Sequence, residues 1–294
     1  MGDKMSDTQY LAAKTIDEAV NAHEKANGTA RFLAGGTDLL VQIKSGIRKP
    51  NLVIDIKKIV ELNSINEISD GEFEIGASVS GANLNRNLKF AKLWPGVLEA
   101  FRLIGSEQIQ GRASLGGNLC NGSPAGDSVP ALIAAGCKAV IAGPKGRKDV
   151  PIENFHLGPG KTVLENGEML VSLKFPKRVS NSADAYLRMT PRTEMDIAVV
   201  GCGVNISLEN DICTHARVSL GAVAPTPLLI KEASDIMVGS KLDDDTLNRV
   251  SKMCMDACNP INDKRGTIDY RTKVAGVLFK RATKLATDRI GGNK

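Results

Sequence analysis

The stretch that most limits how this chain can fold is "ASLGGNLCNGSPAGDSVPAL", residues 113–132. It places Gly116, Gly117, Gly122 and Gly126 among asparagines, prolines and an aspartate, with no Lys, Arg or His. A nucleotide-binding P-loop would need Gly-Lys-Ser/Thr, and a dinucleotide fingerprint would need glycines spaced as G-x-G-x-x-G, so both are excluded. This much bare backbone favours close approach of the main chain to a flat or anionic ligand.

A second loop of the same character is "FLAGGTDLL", residues 32–40. A predicted buried strand ends at Gly35 and Gly36, and Thr37 is the expected N-cap of the helix that follows. Amide groups at the start of a helix bind an anion without a basic side chain. Residues 114–118 could do the same from the opposite side, and Asp127 could accept a hydrogen bond from a sugar or ribityl hydroxyl.

Either loop alone is weak evidence, because Gly-Gly before a helix is often only a turn. The two loops are about eighty residues apart in the chain. Together they predict an extended ligand with a pyrophosphate, held between two small subdomains.

Composition excludes several classes of protein. Aromatic residues make up 4% of the chain and the net charge of +5 is scattered, so nucleic-acid binding is not expected. The N-terminus has no apolar segment typical of a signal peptide, and the longest apolar run, near residues 129–143, is interrupted by Lys138. We therefore expect a soluble, cytoplasmic protein with no membrane span.

The cysteines and histidines do not form a metal-binding pattern. No Cys-x-x-Cys occurs, and His23, His156 and His215 are far apart in the sequence. Reduced, mostly buried thiols are the better interpretation, and no metal site is predicted. The sequence also shows no convincing His or Cys for covalent attachment of a cofactor.

The order of predicted elements indicates an α+β protein. Short strands and helices share the first half, and the polar segment "KRVSNSADA" (177–185) is the predicted domain junction. Three antiparallel strands and then two helices follow. In the last helix the apolar stripe is expected in the core, and the basic residues around it, among them Arg271 and Arg289, are expected to be solvated.

Six segments carry a resemblance to a known family and occur in the family's order. They are "LAGGTDLL" (33–40), "GRASLGGNLCNGSPAGDSVPALIAAG" (111–136), "GEMLVSLKFP" (167–176), "RMTPRTEMDIAVV" (188–200), "ARVSLGAVAPTP" (216–227) and "DYRTKVAGVLFKRA" (269–282). Over nearly its whole length the chain resembles the FAD-binding medium subunit of the molybdenum hydroxylases. This family includes xanthine dehydrogenases, aerobic carbon monoxide dehydrogenases and related aldehyde or N-heterocycle oxidoreductases.

The resemblance implies a vanillyl-alcohol-oxidase (PCMH) type FAD-binding domain over residues 1–177, with subdomains of about 1–56 and 57–177. A C-terminal α+β domain, a three-stranded antiparallel sheet with helices, would span 178–294. By motif position, the residues implied to contact the pyrophosphate of a non-covalent FAD are Phe32, Leu33, Ala34, Gly35, Gly36, Thr37, Asp38, Leu39, Ser114, Leu115, Gly116, Gly117 and Asn118. Asp127 is implied to reach the ribityl or nearby hydroxyls, Ile104 to lie near the isoalloxazine ring, and Leu170 and Arg188 to contact FAD. No catalytic acid or base is implied in this chain.

The resemblance also implies an electron-transfer role. Electrons would pass from two [2Fe–2S] clusters of a small subunit to FAD and on to an external acceptor. A large molybdenum-cofactor subunit would oxidise a purine, N-heterocycle, aldehyde or carbon monoxide, and two such trimers would form a dimer. NAD, quinone, ferredoxin and oxygen remain open as acceptors.

Two departures from the family pattern refine this expectation. Ile197 stands where carbon monoxide dehydrogenases often have an aromatic residue, which favours another substrate. The cysteine-bearing insertion of the hydroxybenzoyl-CoA reductase branch is absent from the sequence. The competing interpretations are a stand-alone flavoprotein reductase with the same FAD fold and a flavin-free scaffold, although the scaffold would leave both glycine loops unexplained.

Overall fold

A computed structural model describes residues 8–193 and 195–292. Within these residues the α-helices, α1 to α11 in chain order, are Ile16–Lys25, Leu39–Lys44, Gly81–Arg86, Leu88–Leu93, Pro95–Arg102, Glu107–Gln110, Leu115–Cys120, Ser128–Ala134, Lys231–Met237, Asp244–Asp256 and Ile268–Gly291. The strands, β1 to β14, are Gln9–Ala12, Ala30–Leu33, Leu52–Asp55, Ile65–Ser69, Glu72–Gly76, Lys138–Gly143, Gly146–Pro151, His156–Gly158, Lys161–Thr162, Met169–Phe175, Ser182–Met189, Val200–Glu209, Ile212–Gly221 and Leu228–Leu229.

Two sheets form the first part of the molecule. The N-terminal sheet is parallel, with the order β1-β3-β2. The second is antiparallel, with the order β4-β5-β10-β6-β7, and its central strand β10 is almost entirely buried. A separate ribbon pairs β8 with β9. Since β10 follows β9 in the chain but lies between β5 and β6, the segment containing the ribbon is held close to the middle of the second sheet.

The C-terminal sheet has four strands in the order β11-β12-β13-β14, rather than the three that the sequence predicted. The additional strand β14 is only two residues long, with Leu228 opposite Leu220 and Leu229 opposite Ser219. Such a short edge strand has no alternation of its own that a sequence pattern could show. The α+β class itself is as predicted.

The two faces of β12 pack against different parts of the molecule. Cys202 and Val204 point into the core shared with α10 and α11. Gly203, on the opposite face, lies against α8, where a Cβ would be 2.7 Å from the carbonyl oxygen of Pro130. The alternation of glycine with larger apolar residues therefore lets α8 approach one face while the C-terminal helices cover the other.

Buried side chains form two cores. In the first, the rings of Phe73, Phe90 and Phe175 pack edge to face, with centroids 5.4 and 5.0 Å apart. The second core lies between the C-terminal sheet and helices α9 to α11. Tyr186 on β11 belongs to the first core, so the C-terminal sheet also contributes to the packing of the preceding part of the chain.

The sequence of residues 83–105 predicts a mostly helical segment with one break, at Pro95, and the structure has a second break. Asn87 ends α3 and caps α4, its Oδ1 accepting a hydrogen bond of 2.9 Å from the amide of Phe90. Pro95 is the first residue of α5, a position where the missing amide hydrogen has no helical acceptor to lose. Three short helices thus replace the two that a single proline break would give.

Candidate functional site

A cavity of about 870 Å³ lies where the two glycine loops meet. This volume is within the range of roughly 300–1,000 Å³ that small-molecule and cofactor sites occupy. Residues 34–39 and residues 113–118 both contribute to its wall. The two loops that the sequence singled out therefore border one space.

The backbones of the two loops are in direct contact. A Cβ built on Gly35 would lie 1.9 Å from the carbonyl oxygen of Arg112, far inside van der Waals distance. Gly36 has a φ of +76°, in the left-handed region that favours glycine. Gly35 is thus required for contact between the loops, and Gly36 for the turn that directs the chain from β2 into α2.

Helix α2 begins one residue later than the sequence predicted. Asp38 rather than Thr37 is the N-cap, because the left-handed turn at Gly36 delays the first helical residue to Leu39. The Asp38 carboxylate makes no capping hydrogen bond and instead accepts one of 3.0 Å from Gln42 Nε2. No side chain therefore caps the first turn of α2. The Leu40 amide donates to the carbonyl of Gly36 at 3.2 Å, and the amide of Leu39 can serve as a donor to a ligand in the cavity.

The glycines of the second loop have different roles. Ser114 caps α7, its Oγ accepting a hydrogen bond of 3.0 Å from the amide of Gly117. A Cβ on Gly116 would lie 2.5 Å from the carbonyl oxygen of Ala77, so Gly116 allows α7 to pack on its neighbour. A Cβ on Gly117 would meet only Ser114 Oγ, at 3.2 Å, within 4 Å. Because Gly117 is exposed and lines the cavity, it is the glycine whose bare surface is available to a ligand.

Asn118 fixes the chain that leaves this loop. Its Oδ1 accepts hydrogen bonds from Ser128 Oγ at 2.7 Å and from the Ser128 amide at 3.3 Å. The start of α8 is thereby tied to α7. Farther along, the amide of Gly160 donates to the carbonyl of Gly122 at 2.9 Å, which brings the segment after β8 to the same wall.

Most of the residues that the resemblance implies lie on the cavity wall: Phe32, Ala34, Gly35, Gly36, Thr37, Asp38, Leu39, Ile104, Ser114, Gly116, Gly117, Asn118 and Leu170. Leu33 and Leu115 are buried. The side chains of Asp127 and Arg188 lie behind the wall, where they pair with each other.

The Asp127–Arg188 pair is buried and fully engaged with protein atoms. Asp127 Oδ2 lies 2.8 Å from Arg188 Nη1, and Asp127 Oδ1 accepts a hydrogen bond of 3.1 Å from Tyr186 Oη. The same Arg188 nitrogen donates to the carbonyls of Leu103, at 3.1 Å, and Asp196, at 3.3 Å. Burial raises the pKa of Asp127 to about 6, against the opposing effects of Arg188 and Tyr186. Burial of the carboxyl thus opposes the ionised form that Arg188 and Tyr186 stabilise.

Sequence reasoning missed three basic residues that line the cavity, namely Arg31, Arg48 and Lys161. Arg31 donates to the carbonyls of Gly28 and Ala30, and Arg48 to the side chain of Gln42. Across residues 8–193 and 195–292, no carboxylate lies within ion-pair distance of Arg31 or Arg48. Burial lowers the pKa of Arg31, and the nearby positive charge of Arg48 lowers it further. An anionic ligand would relieve this repulsion.

His23 and Cys120 also border the cavity. The His23 ring stacks on Phe32, with centroids 4.5 Å apart, and its Nδ1 accepts a hydrogen bond of 3.0 Å from the amide of Gly167. Burial and the charge of Arg31 lower the pKa of His23. The neutral ring with its proton on Nε2 is therefore favoured. The helical spacing of α1 placed His23 on the apolar face, but nothing in the sequence pointed to a cavity there.

The described residues contain no grouping of metal-binding side chains. Between residues 8 and 193 and between 195 and 292, no three His, Cys, Asp or Glu side chains are grouped to hold a metal ion. None of the helices in these ranges has both the length and the apolar character to cross a membrane.

Comparison with known proteins connects this geometry to a family. Residues 5–178 match the FAD binding domain in molybdopterin dehydrogenase, and residues 185–286 match the CO dehydrogenase flavoprotein C-terminal domain. The chain is 31% identical, over 96% of its length and 97% of the relative's, to the putative xanthine dehydrogenase FAD-binding subunit of Escherichia coli K12. It is 32% identical, over 96% of its length and 97% of the relative's, to the carbon monoxide dehydrogenase medium chain of Hydrogenophaga pseudoflava.

Solved structures give the same result. A crystal structure of Cu,Mo-CO dehydrogenase in its cyanide-inactivated form superposes with a TM-score of 0.92 at 30% identity, covering 96% of this chain and 98% of the other. These matches confirm the family resemblance, the vanillyl-alcohol-oxidase type FAD domain and the C-terminal domain that the sequence predicted. The chain therefore belongs to the FAD-binding flavoprotein subunits of the molybdopterin-dependent dehydrogenases, the group that contains xanthine dehydrogenase FAD subunits and carbon monoxide dehydrogenase medium chains.

Proposed function

We propose that this chain holds one FAD non-covalently in the cavity between the glycine loops and transfers electrons for a molybdenum hydroxylase complex. The observation that carries the proposal is the contact of the two loops, with Gly35 against Arg112, at the wall of a cavity of about 870 Å³. This arrangement can hold the pyrophosphate of a dinucleotide between two segments of bare backbone. In this proposal residues 1–177 form the FAD-binding domain and residues 178–294 form the C-terminal domain of the same subunit.

The electrostatics of the cavity fit such a ligand. The first turn of α2 has no side-chain cap, so the amide of Leu39 can donate to a phosphate oxygen. Arg31, Arg48 and Lys161 place positive charge around the same space. Gly117 leaves room for close approach of the cofactor to the backbone of α7.

FAD supplies the ability to accept electrons one at a time and to give them up as a pair. The task of this chain is then to bind the cofactor, orient its ring and limit the access of water. In our proposal the electrons come from [2Fe–2S] clusters of a small partner subunit and leave to an external acceptor. A large molybdenum-cofactor subunit oxidises the substrate, which belongs to the purine, N-heterocycle, aldehyde or carbon monoxide class.

We propose a cytoplasmic dimer of such heterotrimers. Two of the relatives above support the multi-subunit arrangement, since one is called a medium chain and the other an FAD-binding subunit. The second candidate function, a stand-alone flavoprotein reductase, is supported by the same cavity, because a complete FAD site could also serve an enzyme that works alone.

The test compares the purified chain with the complex that it forms when co-expressed with its two partner subunits. In the complex, anaerobic addition of the correct substrate should bleach the flavin absorbance, whereas the chain alone should show no change with any aldehyde, purine or carbon monoxide. Rapid turnover of a substrate by the chain without molybdenum or iron would establish the stand-alone reductase and overturn the proposed transfer of electrons from a partner subunit.

A further inference from the structure

The segment between β9 and β10 is hydrogen-bonded to the C-terminal end of α1 and to the turn that follows it. Asn166 Oδ1 accepts a hydrogen bond of 3.1 Å from the amide of Gly28, and Asn166 Nδ2 donates to the carbonyl of Glu24 at 3.2 Å. The amide of Gly167 donates to His23 Nδ1 at 3.0 Å. These three hydrogen bonds, which we call the α1 clasp, join two segments that are 138 to 144 residues apart in the chain.

The segment forms a defined turn where it meets α1. The amide of Glu165 donates to a carboxylate oxygen of Glu168, and the amide of Glu168 donates to the carbonyl of Glu165, each at 3.0 Å. Gly167, within this turn, has a φ of +81°, and a Cβ on it would lie 3.2 Å from Cβ of Glu24. Glu168 also pairs with Lys148 on β7 at 2.6 Å. The turn therefore has contacts of its own that shape it, and the α1 clasp adds the polar contacts that bind it to α1.

Both segments joined by the α1 clasp border the cavity. His23 and Phe32 contribute to its wall from α1 and β2, and Leu164 and Glu165 contribute from the segment before β10. Asn166 is exposed and does not line the cavity. Because its neighbours line this space while Asn166 faces solvent, the α1 clasp lies between the cavity and the solvent.

His23 takes part in the α1 clasp as a hydrogen-bond acceptor. Its Nδ1 accepts from a backbone amide and so carries no proton, and its ring stacks on Phe32 with centroids 4.5 Å apart. An asparagine side chain carries its Oδ1 at the same number of bonds from the backbone as histidine Nδ1. Asparagine at position 23 can therefore supply the acceptor without the ring, which separates the hydrogen bond from the stacking.

We propose that His23 and Asn166 are positioning residues that hold the segment between β9 and β10 against α1 and thereby slow the release of the cofactor. For a ligand to leave between the two segments the α1 clasp has to open, and such local openings depend on the few contacts that hold the segment. The effect is therefore expected in the dissociation rate. The inference rests on the proposed function for the identity of the ligand, whereas the α1 clasp itself is a contact within the polypeptide.

The chain offers a matched control in Asn63. Its Nδ2 donates to two backbone carbonyls, those of Lys57 and Ile59, at 2.9 Å each. The three residues are close in the sequence, and none of them lines the cavity. Asn63→Ala therefore removes two hydrogen bonds of an asparagine without loosening either segment of the α1 clasp.

The first measurement is the rate at which free, fluorescent FAD appears after dilution of the full complex, in wild type, Asn166→Ala, His23→Leu, His23→Asn and Asn63→Ala. We expect Asn166→Ala to raise this rate roughly fivefold, because two exposed hydrogen bonds are lost and each contributes near the lower end of the usual net range. His23→Leu should also raise the rate, and His23→Asn should recover part of that change. Asn63→Ala should release FAD at the wild-type rate.

The second measurement is hydrogen exchange, followed by mass spectrometry, in the peptides that contain Gly28 and Gly167 after the flavin has been removed. Asn166→Ala should exchange faster than wild type in both peptides, and unchanged exchange would show that the α1 clasp does not form. A wild-type rate of FAD release in Asn166→Ala would overturn the inference. Faster release in His23→Leu without recovery in His23→Asn would also overturn it, because the ring and not the acceptor would then be responsible. A wild-type complex that contains no flavin would overturn the proposed function and the role in retention with it, while the exchange rates would still report on the α1 clasp.

Discussion

Alanine at position 117 should weaken FAD binding while leaving the fold intact. The added Cβ would have only Ser114 Oγ within 4 Å, at a distance of 3.2 Å, so a displacement of a few tenths of an ångström accommodates it. Gly117 is the third residue of α7, where alanine is favoured over glycine by up to about 1 kcal/mol. The free energy of unfolding of the apoprotein should therefore change by less than about 1 kcal/mol.

The cost to the cofactor follows from the position of the same methyl group. Gly117 is exposed and lines the cavity in which we place the pyrophosphate, so an added methyl group takes up space at this wall. Forcing an extra methyl into a well-packed contact costs about 1–3 kcal/mol. The FAD dissociation constant should therefore rise roughly 5- to 150-fold.

The assay combines fluorescence titration of the apoprotein with FAD and thermal unfolding of the same sample. Gly158→Ala is the matched control, because a Cβ there meets nothing within 4 Å and Gly158 does not line the cavity. A Gly117→Ala protein that binds FAD as tightly as wild type would refute the assignment of this loop to the pyrophosphate. A large fall in the melting temperature of the apoprotein would show that Gly117 serves the fold instead.

Three further outcomes are expected. Gly35→Ala should destabilise the protein by about 3 kcal/mol in denaturant unfolding, because its Cβ would lie 1.9 Å from the Arg112 carbonyl oxygen; wild-type stability would mean that the loops are not in contact. Acid precipitation should release all of the flavin as FAD on chromatography, and flavin retained on the polypeptide at His23 or Cys120 would contradict non-covalent binding. Burial raises the pKa of Asp127 from 3.8 to about 6. Because the folded state keeps this proton to a higher pH than the unfolded state does, the free energy of unfolding should fall by on the order of 3 kcal/mol as the pH rises from about 4 to 6. Asp127→Asn should lack this component when unfolding is measured across that range, and an unchanged pH dependence would show that the pKa is not raised.

The parts of the fold and site that the sequence predicted are those that depend on neighbouring residues. Both glycine loops border the cavity. In the first, a strand followed by Gly-Gly and a helix start is determined within about ten residues, whereas in the second Gly116 and Gly117 lie inside α7. The central strand β10 is indicated by its own sequence, in which only Ser172 and Lys174 interrupt the apolar residues. The short edge strands β4 and β7 are not, because polar and exposed residues dominate them and their pairing depends on the neighbouring strand.

The rest of the cavity wall could not be predicted because it is assembled from distant segments. Lys161 and Leu164 reach the cavity only because the β8–β9 ribbon folds back before β10 enters the middle of its sheet. No motif marks these residues. The family resemblance implied that Arg188 contacts the cofactor. Its hydrogen bonds to the carbonyls of Leu103 and Asp196 depend on how the two domains pack, so no sequence pattern could predict them.

The arginines of α11 are a second case in which a sequence pattern could not predict what surrounds a side chain. The helical pattern predicted that the basic residues of this helix would be solvated, which is wrong for Arg271, while the Arg289 side chain is partly exposed, at 24%. The Arg271 side chain is 4% exposed and donates to the Val199 carbonyl at 2.6 Å, with Asp263 as its ion-pair partner at 2.7 Å. Arg289 donates to the carbonyl of Asp184 at 2.5 Å. A helical wheel separates charged from apolar positions, but a guanidinium can be buried wherever carbonyl and carboxylate acceptors meet its donors. Since those acceptors lie on strands and loops far from α11 in the sequence, whether a basic residue faces water or joins two parts of the structure is decided by the tertiary fold.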